Sequence, residues 1–197
     1  MDWEDVEQLL IDEAAADLEA TGEIRPCLAA FVGDDPLALA FVRPFERGRY
    51  HDALLELLAL VVPLGADRLA LSMGGRAWSL DDPMPPVIRG VGDLRQRVVV
   101  ITRVDGAGPE VTCGSSLHPF DCDGQSVTWG TTLRERGEGW IADAMEVLVR
   151  DREQMRCPVA KVVSQLHRCM TLGHVVALSP AAQEWLDVDA DLTTRGA

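Results

Sequence analysis

The residues best suited to chemistry fall in one short run, Cys113-Gly114-Ser115-Ser116-Leu117-His118-Pro119-Phe120-Asp121-Cys122-Asp123. It holds two thiols, an imidazole and two carboxylates. Cys and His donors suit a tetrahedral metal, and a metal held there would activate water for hydrolysis. The candidate ligands are Cys113, His118 and Cys122. The candidate catalytic groups are His118, Cys113 and Asp121, with Asp123 beside them. The run lacks a partner knuckle, so Cys157, His167, Cys169 or His174 would have to arrive through the fold. The simpler reading, which the sequence favours, is a strand end with small buried thiols, followed by an Asp-Gly turn and without metal. A covalent alternative uses Cys113 or Ser115 as a nucleophile activated by His118, although neither lies in a Gly-x-Ser-x-Gly elbow.

A second candidate is the basic island of Arg43, Arg47 and Arg49 with Tyr50 and His51. A helix starts just after it, and unpaired N–H groups there, together with the guanidinium forks, would attract a carboxylate or phosphate. Arg43, Arg49 and His51 are therefore the ligand-binding candidates for a small anion. The competing reading pairs these arginines with Glu46, Asp52 or the acidic N-terminal helix. Arg95 and Arg97, alternate residues on a strand, form a second choice because such residues face the same side. Asp34-Asp35 and Asp81-Asp82 could supply oxygen ligands to a divalent cation, but each pair precedes proline and reads as a turn.

No cofactor motif is present. Gly90-Val91-Gly92-Asp93-Leu94-Arg95 is neither a dinucleotide fingerprint nor a phosphate loop. The His118-Pro119 step is similar to the end of the His-x-His-Pro segment of JAMM-type metallopeptidases. Ser116 stands at the first histidine of that segment and Gly130 at the place of its aspartate, so two of the three ligands are absent.

Composition narrows the classes further. The chain has 197 residues, 47% of them hydrophobic, and a net charge of -14. That is enough apolar material for a core, and it is not the composition of a disordered chain. The negative surface disfavours nucleic acid and anionic membranes as partners. The acidic start, Met1-Asp2-Trp3-Glu4-Asp5, does not read as a secretory signal. The most apolar stretch, Ala53 to Leu64, is interrupted by Glu56 and falls short of the about 20 residues a membrane span needs. Five cysteines without a Cys-x-x-Cys pair suit reduced thiols in the cytoplasm. Lys161 stands alone against 17 arginines, as high-GC bacterial coding would give.

The pattern of elements predicts an α+β domain with a mostly antiparallel sheet and the order α-β-β-α-β-β-β-(β)-α-α. Helices are expected over 2–20 and 53–62, with Asp52 as cap of the second, over 140–149 and 159–170, and briefly over 181–186. Strands are expected over 27–32, 37–42, 68–73, 76–80, 97–104, 111–117 and 127–129, with 174–178 as a further short one. The pair Gly74-Gly75 reads as a hairpin turn. The expected organisation is one domain over 1–186, with 153–186 as a helical appendage at most and 187–197 as a frayed acidic tail. In element order alone, residues 1–150 resemble roadblock, longin and profilin-like domains, and the resemblance implies a scaffold or partner-binding module. The functional expectation is a binding, regulatory or scaffold module, with a protein partner or a second copy docking through Trp3 or Trp185. A small metal-dependent hydrolase or an anion sensor is the alternative.

Overall fold

The computed structural model describes residues 1–46, 49–78, 83, 93–123 and 126–195, with side chains described as far as Asp187. Helix α1 (Trp3–Thr21) begins where the Asp2 side chain accepts the Asp5 N–H at 2.9 Å, and ends at Gly22, which adopts the left-handed conformation at φ 75°. Its stripe of Val6, Leu10, Ala14 and Leu18 is buried, as the spacing predicts. Strands β1 (Cys27–Val32) and β2 (Asp35–Phe41) form the expected hairpin, turning at Gly33 and Asp34. Helix α2 (Tyr50–Val61) starts two residues before Asp52, so Asp52 does not cap it. It lies in the first turn instead, where its charge complements the helix dipole.

Strand β3 (Arg68–Ala77) corrects the hairpin expected at Gly74-Gly75. It pairs without interruption with β4 (Gln96–Asp105), from Arg68 opposite Asp105 to Ala77 opposite Gln96. Neither glycine has a positive φ. Glycine permits a turn without requiring one, and the β-branched run Val98-Val99-Val100-Ile101 supplies a ladder for the whole strand. Strand β5 (Thr112–Cys122) extends five residues past the expected end, so His118 and Asp121 lie within it. Strand β6 (Val127–Trp129) follows as expected, and β7 (Leu133–Arg136) is an unexpected exposed strand. Helix α3 (Trp140–Arg150), a 3-10 turn at Arg152–Met155, helix α4 (Val159–Leu172), strand β8 (Val175–Leu178) and helix α5 (Pro180–Arg195) complete the chain. The last helix continues well past Leu186.

The fold is α+β. Eight strands form one sheet in the order β6-β5-β4-β3-β1-β2-β8, with β7 also on β5, and every described pairing is antiparallel. Period-2 alternation splits the sheet between two cores. Cys27, Ala29, Phe31, Ala70, Val99, Ile101 and Phe120 pack under α1. Leu28, Ala30, Ala40, Leu69, Leu71 and Val104 pack under the helices of the other face, against Leu57, Met145, Val162 and Leu186. Among the described residues, one helix therefore serves one face and four serve the other. Residues 153–186 are built into the same architecture, since α4 packs on α2 and β8 extends the sheet from β2. No described helix is long and apolar enough to cross a membrane.

Candidate functional site

The alternation along β5 decides where the residues of the 113–123 run point. Cys113, Ser115 and Leu117 face the α2 side, whereas Ser116, His118 and Phe120 face α1. The two leading candidates, Cys113 and His118, thus lie on opposite faces of one strand. Cys122 packs with the α1 core, on the His118 side, and Asp121 lies at an exposed position opposite Thr128. Among the described residues no three His, Cys, Asp or Glu side chains form a group able to hold a metal. Burial raises the pKa of the Cys113 thiol, which keeps it protonated and a poor nucleophile.

His118 is buried in a polar pocket between α1 and β5. Its Nδ1 is 3.0 Å from the Thr132 hydroxyl, and its Nε2 is 3.0 Å from Ser116 Oγ and 3.2 Å from Glu7 Oε1. Arg134 on β7 donates to the same Glu7 oxygen at 2.8 Å. Burial lowers the His118 pKa, with the Arg134 charge acting the same way and Glu7 opposing it. The cluster fastens α1 to β5 and β7.

The basic island separates as well. Arg43 forms a two-pronged pair with Glu56 of α2, Nε to Oε2 at 2.7 Å and Nη2 to Oε1 at 3.1 Å. His174, just before β8, is fully buried; its Nδ1 accepts the Arg43 backbone N–H at 3.1 Å, which places the ring proton on Nε2, 2.8 Å from Glu56 Oε2. The Glu56 carbonyl oxygen also accepts from Gln165 Nε2 at 2.8 Å and Cys169 Sγ at 3.4 Å, both on α4. Hydrogen bonds from Arg43 above all, then from His174, hold the Glu56 carboxyl at about 2. Among the described residues, Arg49 makes an exposed 3.8 Å ion pair with Glu46, and the His51 ring lies tilted between Tyr50 and Trp140 with ring centres 4.1 and 4.0 Å away. Arg43 and Arg49 line one cavity of about 430 Å³ that also contains Glu46 and Asp52, and His51 is not part of it. Arg47, Asp81, Asp82, Gly90 and Gly92 lie outside the described residues.

Glu56 and Glu7 are the organising residues that motif reasoning passes over. Each had a signal. Glu56 is the one charge inside the apolar stretch 53–64, and Glu7 sits three residues before Leu10 on the buried side of α1. Trp3, expected as an anchor for a partner, is occupied internally: its Nε1–H donates to Asp105 at 2.9 Å, and the Arg68 guanidinium lies 4.3 Å over its ring. Trp185 remains exposed.

At the other end of the sheet an apolar strand lies at the margin. Strand β8 pairs with β2 and, among the described residues, with no other strand. Val175 stands opposite Phe41 and Ala177 opposite Leu39, all on the α1 side. Helix α1 does not cover this margin: Val175 is 58% exposed, and a cavity of about 190 Å³ opens between Leu9 of α1 and Ala177. No family model, curated protein or solved structure matches this chain.

Proposed function

We propose that the protein is a binding module that receives an extended segment of a partner protein along β8. The observation that supports this is the character of that edge. Val175-Val176-Ala177-Leu178 carries no charge and no proline, although exposed strand edges are ordinarily blunted by such residues. An incoming strand would gain backbone hydrogen bonds from the edge, and its alternate side chains would meet Val175, Ala177 and the adjoining Leu39 and Phe41.

Charge selects the partner's chemistry. Each copy carries -14, so two copies repel, and α1 presents Glu4, Asp5, Asp12 and Glu19 without a single basic residue. A segment alternating basic and apolar residues fits both features. The test is fluorescence anisotropy with a labelled peptide of alternating lysine and valine. Binding that weakens steeply as salt is added, and that Val175→Glu reduces about tenfold, is the expected result. No binding, or binding indifferent to Val175→Glu, overturns the proposal. A second copy as occupant is the alternative, and a dimer in sedimentation that Val175→Glu dissolves would establish it.

A further inference from the structure

A cavity of about 540 Å³ lies at the C-terminal end of α1 and is distinct from the β8 margin. Arg76, Arg95 and Arg97 line it, together with Gly22, Glu23 and Gly74. From this arrangement we infer that the cleft is an oxyanion site that takes a small phosphate monoester.

Three features carry the inference. The first is charge. In a chain of net -14, three guanidinium groups line one cleft, while among the described residues the neighbouring carboxylates are Asp93 and Glu23. Arg76 and Arg97 stand directly opposite each other on the β3–β4 ladder, and the single carboxylate of Asp93, shared by Arg95 and Arg76, offsets only part of the charge of the three arginines.

The second feature is preorganisation. Asp93 holds Arg95 by two bonds, Nε to Oδ1 at 2.9 Å and Nη2 to Oδ2 at 2.6 Å, and lies 3.9 Å from Arg76. Arg76 Nη1 donates to the Arg95 carbonyl at 2.9 Å. The Arg97 guanidinium rests 4.6 Å over the Phe120 ring and donates from Nη2 to the Gly22 carbonyl at 3.2 Å. Capping the end of α1 accounts for one donor of Arg97, but not for Arg76 opposite it or Arg95 beside it. Fixed forks of this kind lose little freedom on meeting an oxyanion.

The third feature is Gly74. Glycine within a strand weakens it and often marks a place that another group approaches closely. A Cβ there would meet Ile24 at 3.5 Å, an ordinary contact, and the backbone φ is not positive, so the fold itself does not demand glycine. A side chain longer than a methyl at this position would press on Ile24 and into the cleft that both residues line. A carboxylate has two oxygens, which one guanidinium fork satisfies. Three guanidinium groups suit the three free oxygens of a phosphate monoester, and the remaining volume accommodates its organic part.

The test is isothermal titration of the full chain with inorganic phosphate and with phenyl phosphate, in a zwitterionic buffer at low ionic strength. Both are expected to bind once per chain, the ester more tightly. Arg97→Gln and Arg76→Gln should each weaken both ligands at least tenfold, and Gly74→Leu should weaken the ester more than the bare ion. Arg49→Gln, on the other arginine cavity, should change either affinity less than twofold. Circular dichroism confirms that each variant folds, and one folded variant of the cleft suffices for the comparison. No binding by the unaltered chain at millimolar ligand, or an equal loss in Arg49→Gln, overturns the inference.

Discussion

Two buried histidines, each beside a glutamate and an arginine, hold different parts of this molecule together. Around Glu56 the set is closed: Arg43 and Glu56 retain 22% and 16% of their side-chain exposure, and His174 retains none. Around Glu7 it opens to water through Arg134, whose side chain is 58% exposed. The same residue types therefore carry different energetic weight. A carboxylate that loses its charge in the closed set strands a half-buried guanidinium and an imidazole N–H, whereas Arg134 can turn to solvent.

The largest expected effect follows at Glu56. Glu56→Gln should cost about 3 kcal/mol in urea unfolding, because the bonds from Arg43 and His174 lose their charged acceptor, while the contacts of α4 to the Glu56 carbonyl oxygen remain. Glu7→Gln should cost about 1 kcal/mol, and a cost equal to that of Glu56→Gln would erase the distinction between the two sets.

Acid separates them further. Because the folded-state pKa of Glu56 is about 2 against an ordinary 4.5, its contribution is present above pH 4.5 and lost as pH falls toward 2. The shift corresponds to a contribution on the order of 3 kcal/mol, absent from Glu56→Gln. His118 works in a higher window. Its folded-state pKa is lowered from 6.5, so the unfolded chain takes up a proton that the folded chain refuses, and stability declines as pH drops below about 6.5. His118→Gln should flatten that decline below about pH 6.5, measured by the urea midpoint at each pH. The smallest stability effect belongs to Val175→Glu, expected to shift unfolding by less than about 0.5 kcal/mol while weakening peptide binding about tenfold.

Much of the architecture is legible in the chain. The stripe of α1, the two-sided apolar strands around Gly33 and the leucine-rich α2 follow from periodicity. What escapes are decisions made by partners. Gly74-Gly75 could turn or extend, and only the opposing β4 ladder selects extension. The exposed β7, Leu-Arg-Glu-Arg, has no apolar alternation and forms because β5 offers it an edge. The 113–123 run looked concentrated in one dimension, yet strand alternation sends Cys113 and His118 to opposite faces once β5 proves long enough to contain both. The arginine candidates divide similarly: Arg43 meets Glu56 thirteen residues on, while Arg97 gains Arg76 across the ladder from another strand.

The position of β8 also sets an order of events for a chain emerging from a ribosome. Strands β1 to β5 find their partners among near neighbours in the sequence, so most of the sheet can assemble early. The outer edge of β2 must wait for a strand encoded near the far end, behind α3 and α4. Until that strand arrives, Ala38 and Ala40 border a bare hydrogen-bonding rim, an invitation to mispairing between nascent chains. Chains halted before His174 would keep that rim and lose the imidazole that locks it shut.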